Sequence, residues 1–349
     1  MNNKLKIVIP AIIAVLIGLT WWFVARKEAT KTDVVAVREV QTTAPTNWEL
    51  VKKLTGRDIL AEEGVKVEPV FSLPTNLGTT SVQALLGNNI DIGGAAWPSF
   101  INAVARGGKV KAVINMNVTT RDNESGTSGL LVLEDGNIRT IKDLAGKRIG
   151  VNGLGAEADY VIRQFLKKNG LSISQVELVT LQDDKQEQML RNRQIDAAGF
   201  SGSGGLYFEK AVENGGVRQI PGTTNYDTKG ESVLSGMGFR TDFIEKHPDV
   251  VRRYIHALDA ARRIVYQEFH KDPERVRKAY AEISTQKGGN PKLAKYFRAT
   301  RWSPDFPVIV DKDIQWWIDR FVEDGTLKPG QIKPSDIYTN EFIDQKWKK

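Results

Sequence analysis

The amino-acid sequence predicts an α/β fold with mainly parallel sheets, arranged as two similar lobes. With 349 residues the chain is long for one compact core, and two lobes are the default expectation at that length. From Asp33 onward, strand-like and helix-like segments alternate with short connections, which is typical of α/β proteins. A short motif also occurs twice with the same spacing, at Gln83–Gly94 and at Gln188–Gly199. This repetition favours two related lobes.

The first element is an uncharged apolar run over Ile7–Ala25, preceded by Lys4 and Lys6. At about 1.5 Å per residue in a helix, the run is long enough to cross a hydrocarbon core of about 30 Å. Lysines before the run favour an N-terminus inside the cell, so the rest of the chain is expected to be exported. Residues 1–25 are therefore either a cleaved export signal or a retained membrane anchor, and an ordinary buried helix is the remaining alternative.

Strand and helix signals alternate through the first part of the chain. Thr46 and Glu49 have the spacing of a capping box, which predicts a helix beginning after Thr46. Pro98 suits the first turn of a helix that ends near Gly107. A further short helix is predicted near Ser81–Leu86. The predicted strands of this part are Val34–Val40, Val65–Phe71, Ile90–Gly94 and Val110–Val118.

The alternation continues in the second part and ends in a helical region. Strands are predicted at Lys147–Val151 and Val176–Leu181, with a helix at about Glu157–Asn169 that Gly170 ends. From Asp242 the chain is predicted to be helical, because apolar side chains recur there on one helical face. That face carries Val250, Val251, Tyr254, Ile255, Leu258, Ala261, Ile264 and Val265.

Each copy of the repeated motif combines the end of a helix, a polar turn and a short strand. An aspartate lies at the start of each strand, at Asp91 and Asp196, and glycines lie at its end. Ligands of open α/β sheets bind beyond the carboxyl ends of strands, and glycines there allow close approach to the backbone. The two copies therefore predict one ligand-facing turn in each lobe, around a shared cleft. The alternative is that such units recur by chance in an α/β protein.

Composition excludes several kinds of site. The sequence has no cysteine, so disulfide bonds and thiolate metal sites are excluded. Its three histidines, His247, His256 and His270, lie in one C-terminal stretch, which leaves little for zinc binding or histidine acid–base chemistry. No cofactor and no metal are expected. The net charge of +7 includes no concentrated basic block, which favours an ordinary solvated surface over nucleic-acid binding.

Five longer stretches of the chain occur in an order that is specific to one family. They are "NNIDIGGAAWPSFINAVARGGKVKAV", "IKDLAGKRIGVNGLGAEADYVIRQFLKKNGL", "RNRQIDAAGF", "FRTDFIEKHPDVVRRYIHAL" and "FVEDGTLKPGQIKPSDIYTNEFI". In these stretches the chain resembles extracytoplasmic solute-binding proteins of ABC importers, in the nitrate/sulfonate/taurine family. The resemblance covers most of Val34–Lys349 and is far less specific to a ligand than to the family.

The resemblance implies a two-lobed type II periplasmic-binding-protein fold that closes on a small molecule. After the N-terminal segment, the first lobe would contain residues 34–130, the second residues 131–236, and residues 237–349 would return to the first lobe and add C-terminal helices. It also implies a monomer in the periplasm or on the outer face of the cytoplasmic membrane, tethered there if residues 1–25 are retained. Its expected partners are a small sulfonate-, taurine- or nitrate-like solute and an ABC permease with its ATPase.

The ligand-facing residues are expected in turns after strands and in the first turns of helices. Helix N-termini carry partial positive charge and free N–H groups, which suit sulfonate, carboxylate or nitrate oxygens. For the hydroxyl groups the alternative is plain helix capping, and for the tryptophans it is burial in the core. Turn positions and the resemblance together indicate Thr43, Asn47, Trp48, Asn76, Gly78, Thr79, Ala95, Ala96, Trp97, Gly155, Ala156, Glu157, Asp159, Phe200, Ser201 and Ser203.

The stretch Ala156–Asp159 departs from the family pattern, in which many members carry small hydroxyl residues. Acidic side chains in the first turn of a helix complement its dipole, and this is the preferred interpretation of Glu157 and Asp159. If either side chain points into the cleft instead, it would repel a simple anion. It would then suit the ammonium group of a zwitterion such as taurine.

Two other functions are compatible with the sequence. The resemblance extends to thiamine-pyrimidine-synthase-like proteins, which are enzymes. A non-enzyme is nevertheless expected, because no histidine lies near the inferred cleft and Ser201–Gly205 lacks the order of a nucleophile elbow. The third alternative is a membrane-tethered sensory module that binds a ligand without transporting it. Genes for a permease and an ATPase beside this one would favour the importer.

Overall fold

The computed structural model describes residues 35–70, 77–119, 121, 128–202, 205–299 and 306–344. The described residues from Ala36 onward form one compact unit. The predicted export segment at residues 1–25 and two candidate site residues, Asn76 and Ser203, lie outside the described residues. Of the helices in the described ranges, none has both the length and the apolar composition that crossing a membrane requires.

The strands follow the predicted order, with shifts of a few residues at their ends. The strand predicted at Ile90–Gly94 extends to Ala96, and the one predicted at Val110–Val118 is divided in two. In chain order the strands are β1 (Val35–Val40), β2 (Val65–Val70), β3 (Ile92–Ala96), β4 (Val110–Asn115), β5 (Val118–Thr119), β6 (Gly129–Leu133), β7 (Arg148–Val151), β8 (Glu177–Thr180), β9 (Ala197–Phe200), β10 (Val217–Gln219), β11 (Ser232–Val233) and β12 (Ser235–Arg240).

The helices also agree with the sequence signals. The predicted capping box is present, since the backbone N–H of Thr46 donates to Glu49 Oε2 at 2.7 Å and the Glu49 N–H donates back to Thr46 Oγ1. The α-helices are α1 (Asn47–Thr55), α2 (Ile59–Glu62), α3 (Leu77–Leu86), α4 (Trp97–Ala105), α5 (Glu157–Lys168), α6 (Asp183–Arg191), α7 (Gly205–Glu213), α8 (Asn225–Lys229), α9 (Thr241–Lys246), α10 (Pro248–Lys271), α11 (Pro273–Gln286), α12 (Asp311–Glu323) and α13 (Pro334–Ile337).

The predicted apolar face of the C-terminal helical region lies in α10. Its residues are buried in the structure, except that Ile264 is only partly buried. Several of them pack against α1 and α11, where Leu50, Val51 and Tyr280 belong to the same apolar cluster. This burial stabilises α10 through its packing, as expected for a long amphipathic helix.

The first sheet contains five strands in the order β2-β1-β3-β12-β4. β1 runs parallel to β3, as the alternation of strands and helices predicts. β12 is antiparallel to both of its neighbours, β3 and β4. Because β12 returns from the second sheet, no crossover within one sheet fixes its direction.

The second sheet contains five strands in the order β10-β6-β9-β7-β8. β7 is parallel to β8 and β9, whereas β6 is antiparallel to β9 and β10. The expectation of mainly parallel sheets therefore holds for strands linked by helices. It fails for β6, the first strand of the second sheet, and for β12, with which the chain returns to the first sheet. The chain changes sheet between β4 and β6 and again between β10 and β12. These changes fall near the lobe boundaries expected from the sequence, which themselves stay predictions.

The repeated motif builds the same local structure in both sheets. The carboxylate of Asp91 accepts from the backbone N–H of Arg38 at 2.9 Å and from its Nε at 3.0 Å. Asp196 makes the same two contacts with Arg148, at 2.8 and 3.2 Å. Each aspartate therefore links the start of its strand to the neighbouring parallel strand through hydrogen bonds, and this is a structural role.

A backbone feature repeats with the aspartates. Asn88 and Arg193 occupy the same position of the motif and have φ values of 56° and 58°, in the left-handed region. The carbonyl oxygen of Asn88 accepts from the Arg38 guanidinium at 2.8 Å, and that of Arg193 accepts from the Arg148 guanidinium at 2.8 Å. Two copies with the same turn, the same arginine and the same aspartate favour related lobes over chance recurrence.

Candidate ligand-binding site

A cavity of about 310 Å³ lies between the ends of strands from both sheets. Its walls come from the end of β1, the whole of β3, the start of β12, helix α3 and the turns that follow β7 and β9. This is the edge at which open α/β sheets bind ligands. The lining residues are Glu39, Val40, Thr42, Thr46, Gly78, Ser81, Ile92, Gly93, Gly94, Ala95, Ala96, Met116, Asn117, Asn152, Ala156, Glu157, Ser201, Gly202, Ser235 and Met237.

The first-sheet wall is apolar and closely packed around Gly94. A Cβ atom at Gly94 would lie 3.3 Å from Met116 Sδ and 3.7 Å from Met237 Cγ. Methionine side chains are flexible and polarisable, so they can adapt to the shape of a solute. Beside them, Ser235 Oγ accepts from the backbone N–H of Asn117 at 3.1 Å.

Glu39 adds a carboxyl group to this wall. It lies near the end of β1, and the Tyr254 hydroxyl donates to its Oε2 at 3.1 Å. Burial raises the pKa of Glu39 from its ordinary value of 4.5 to about 7, against the opposing effects of the Tyr254 hydrogen bond and of the Lys287 charge.

Glu157 brings a second carboxyl group to the cavity from the other sheet. It is the first residue of α5 and is 7% exposed, and its Oε1 accepts from Asn225 Nδ2 at 2.6 Å. Its Oε2 lies 3.7 Å from the place that a Cβ atom on Gly202 would occupy. Burial raises the pKa of Glu157 to about 7, although the charge of Lys229 opposes this.

Lys229 interacts electrostatically with Glu157 and is not part of the cavity lining. Its Nζ is buried and stands 4.5 Å from the ring centre of Trp317 and 5.0 Å from that of Trp316. Burial lowers the pKa of Lys229 to about 8, while the charges of Glu157 and Asp313 raise it. The two indole faces therefore hold a cation that two carboxylates share.

Asp159 has a structural role within its own helix. Its carboxylate accepts from the Gly155 backbone N–H at 2.8 Å and from Arg163 Nε at 2.7 Å, and the residue is 2% exposed. The sequence alone could not assign different roles to Glu157 and Asp159, but their contacts in the structure do. Asp159 caps the start of α5, as the dipole interpretation expected, whereas Glu157 lines the cavity.

Asn152 follows β7 and places an amide at the cavity. Its amide group is hydrogen-bonded to Asp183, a carboxyl group whose pKa burial raises to about 6. The Oδ1 atom of Asn152 is buried and has no hydrogen-bond partner among the described residues. A buried acceptor without a partner is destabilising.

The structure brings some of the predicted site residues to the cavity and leaves others outside it. Thr79 Oγ1 lies 3.3 Å from Ser99 Oγ, and the edge of Trp48 contacts Tyr254 with ring centres 5.7 Å apart. Those that line the cavity are Gly78, Ala95, Ala96, Ala156, Glu157 and Ser201. The remaining described candidates, which are not part of the lining, are Thr43, Asn47, Trp48, Thr79, Trp97, Gly155, Asp159 and Phe200.

The two aromatic candidates nearest the motif belong to the core. Trp97 is fully buried, and its indole N–H donates to the Val233 carbonyl at 3.0 Å. Phe200 is 2% exposed and packs edge-on against Phe208, with ring centres 6.0 Å apart. Trp97 therefore follows the alternative interpretation given for the tryptophans. Phe200 was expected to face the ligand, but its ring packs in the core, where a large apolar side chain is stabilised by burial.

Several lining residues were not expected from the sequence. Glu39 had a local signal, since it is an acid near the end of the first strand, at the edge where ligands bind. Met116, Ser235 and Met237 had none, because they reach the cavity only when β12 inserts between β3 and β4. Asn117 was likewise not expected. The lining residues Thr42, Thr46, Ser81, Asn152 and Gly202 were not singled out, but they lie in the turns and first helical turns where ligand-facing residues were expected.

Comparison with known proteins identifies the family. Residues 57–275 match the family described as NMT1/THI5 like. A protein of Brucella abortus described only as a candidate binding protein is 24% identical over 294 residues, covering 77% of this chain and 80% of the relative.

Two solved structures show the same fold. The alkanesulfonate-binding protein of Xanthomonas axonopodis pv. citri, bound to MOPS, has a TM-score of 0.66 at 20% identity, over 87% of this chain and 98% of that one. The periplasmic aliphatic sulphonate binding protein of Escherichia coli has a TM-score of 0.64 at 18% identity, over 86% of this chain and 91% of that one. The predicted fold class is therefore confirmed, and so is the relationship to solute-binding proteins. This chain belongs to the NMT1/THI5-like family.

Proposed function

We propose that this member of the NMT1/THI5-like family captures a small solute outside the cytoplasm and delivers it to an ABC import permease. The observation that carries the proposal is the cavity, since its lining comes from both sheets and from the strand ends at which α/β proteins bind ligands. A volume of about 310 Å³ is that of about ten water molecules in the liquid, which suits a solute of low molecular mass.

The proposed mechanism is reversible capture. A solute that touches Ala96 on one wall and Ser201 on the other gains contacts only when the two walls are close together. Such a solute has a higher affinity for the closed form and shifts the population towards it. The closed form then docks on the permease, which distinguishes loaded from empty protein. An importer subunit and a sensory module would share these steps and would differ in the partner protein that recognises the closed form.

We propose a sulfonate-, taurine- or nitrate-like solute as the class to test first. The relatives with the same fold bind sulfonates, and α3 brings Gly78 of its first turn and Ser81 of the next turn to the cavity. Helix N-termini stabilise negative charge through their free N–H groups and dipole. These groups could hold the oxygens of a sulfonate or carboxylate.

The solute class can be tested by thermal unfolding of the full-length protein. The panel contains alkyl sulfonates, taurine, nitrate, bicarbonate and aromatic carboxylates. A solute present at about 100 times its dissociation constant should raise the free energy of unfolding by about 2.7 kcal/mol, because it binds only the folded state. A panel without any stabilising member would contradict the proposed function, most clearly if one of the compounds were chemically converted.

The proposed location is the periplasm or the outer face of the cytoplasmic membrane. It rests on Lys4 and Lys6 before the apolar run at Ile7–Ala25 and on the periplasmic relative. We expect a reporter enzyme fused after Lys349 to be active only if it requires an extracytoplasmic location. Mass spectrometry of the purified protein then shows whether Met1–Ala25 is retained. Activity of a reporter that works only in the cytoplasm would contradict export.

One observation favours a second candidate, an enzyme. Carboxyl groups with pKa values near 7 are suited to general acid–base catalysis, and the cavity contains two, at Glu39 and Glu157. The two functions make different predictions for the same panel. A binding protein releases each compound unchanged, whereas an enzyme yields a product that mass spectrometry detects after incubation.

A further inference from the structure

The charge of the cavity differs from what a site for a simple anion requires. Its described lining contains two carboxyl side chains, Glu39 and Glu157, and no lysine, arginine or histidine. The two carboxyl groups come from different sheets, since Glu39 is in β1 and Glu157 begins α5 after β7. A solute that spans the cavity therefore meets an acidic group on each wall.

Lys229 compensates the charge of Glu157 only in part. Its Nζ has no hydrogen-bond partner among the described residues and lies against the faces of Trp316 and Trp317. Asp313, which is 5% exposed, also acts on Lys229 and competes for the same positive charge. Lys229 therefore acts on Glu157 through its charge and makes no described hydrogen bond to it.

The lysine whose charge acts on Glu39, Lys287, forms an ion pair with another carboxylate. Lys287 Nζ donates to Glu49 at 2.9 and 3.1 Å and to the Ala44 carbonyl at 3.0 Å. Only the Tyr254 hydroxyl donates to Glu39 among the described residues. Lys287 therefore acts on Glu39 at a distance and does not form an ion pair with it.

The polar atoms at these places are hydrogen-bond acceptors. One oxygen of each glutamate has a protein donor, and Glu157 Oε2 is turned towards Gly202, which lines the cavity. A ligand group that satisfies these atoms has to donate hydrogen bonds, and a positive charge on it strengthens each bond.

We propose that the solute carries a protonated nitrogen, and that Glu157 and Glu39 hold it. The proposal rests on the proposed function, because it names the ligand class of the same cavity. An ammonium group has three donors and no acceptor, which matches this set of acceptors. The first turn of α3 and the Ser81 hydroxyl remain for a sulfonate or carboxylate at the other end. Small zwitterions, such as aminosulfonates and ω-amino acids, therefore fit better than simple anions.

The protonation of the two glutamates supports the same conclusion. A bound ammonium group favours the ionised carboxylates, so binding should release protons near pH 7, and affinity should rise between pH 6 and pH 8. The charged groups that face Glu39 are Lys287 and Glu49, besides Tyr254, and those that face Glu157 are Lys229 and, behind it, Asp313. A simple anion would show the opposite trend, because it binds better when the carboxyl groups are neutral.

The test is isothermal titration of the full-length protein with matched pairs of probes. Taurine is compared with ethanesulfonate, and γ-aminobutyrate with butyrate, at pH 6 and pH 8. We expect the amine-bearing member of a pair to bind at least tenfold more tightly. Glu157→Gln should reduce its affinity tenfold or more and should leave the amine-free member unchanged or improved. Asp184→Asn, at an exposed position of α6, is the matched control and should change neither affinity.

The outcomes separate this inference from the proposed function. Equal affinities within the pairs, or tighter binding of the amine-free members, would overturn the inference, as would a solute of the broad panel that has no protonated nitrogen and stabilises the protein more than taurine does at the same concentration. The proposed function would survive each of these results. It fails if no solute binds or if a bound compound is converted to a product. If Glu157→Gln does not fold, Glu39→Gln and the wild-type pairs decide, because the preference for an amine must also weaken when the side chain at position 39 is neutral.

Discussion

Ala96→Trp is expected to reduce the affinity for the transported solute at least 100-fold. Ala96 lies at the end of β3, where it lines the cavity and pairs with Ser235 of β12. An indole at this position would occupy space that the solute needs, and a 100-fold loss corresponds to about 2.8 kcal/mol of binding free energy. Isothermal titration with the best solute of the thermal panel measures the change.

The control for this substitution is Val212→Trp. Val212 lies in α7 and is 46% exposed, so an indole there adds the same apolar group outside the cavity. We expect normal affinity for this variant and cooperative unfolding for both. If Ala96→Trp is folded and binds as tightly as the wild type, the solute does not occupy this cavity.

Glu39→Gln is expected to change how stability depends on pH. The folded-state pKa of Glu39 is raised from 4.5 to about 7, so the folded protein binds more protons than the unfolded chain between these values. The stabilising contribution of the neutral group is therefore complete below pH 4.5 and is lost as the pH rises through about 7, by about 3 kcal/mol in total. The amide side chain of the variant would stay neutral and still accept from Tyr254, so the variant should lose less stability than the wild type between pH 5 and pH 8.

Urea unfolding of the ligand-free protein at pH 5 and pH 8 measures this effect. The difference in the free energy of unfolding between the two pH values should be about 2–3 kcal/mol smaller in Glu39→Gln than in the wild type. Glu68→Gln, at an exposed position of β2, serves as the control and should behave as the wild type. The same pH dependence in all three proteins would mean that Glu39 is already ionised and solvated in the folded state.

The fold was largely predictable because local signals agreed with one another. The capping box at Thr46, the apolar face of α10 and the two copies of the motif each had a direct counterpart in the structure. The antiparallel directions of β6 and β12 were not predictable in this way. Strand direction after a passage between sheets depends on tertiary pairing, which no local pattern encodes.

The site was predictable where it follows strand ends in sequence order. Ala95, Ala96 and Ser201 come directly from the two copies of the motif, and all three line the cavity. Met116 and Met237 are far apart in the sequence and meet only because β12 pairs with β4. Contacts of this kind depend on the sheet order, so no local pattern singles these residues out.

The two acids at the start of α5 show what local reasoning cannot decide. Glu157 and Asp159 lie in the same first turn, and both complement the helix dipole. Asp159 is held by Arg163, one turn further along the helix, whereas Glu157 meets Asn225 of α8. The partner of Glu157 is distant in sequence, and that distant contact places its carboxyl group at the cavity.

A crystal structure of the protein with the best solute of the thermal panel tests the central claim most directly. We predict one solute molecule in the cavity, in contact with Ala96 on one wall and with Glu157 or Ser201 on the other, and a protonated nitrogen within about 3 Å of a Glu157 or Glu39 oxygen. A solute bound elsewhere, for example beside Arg191 and Arg193 near β10, would contradict this claim.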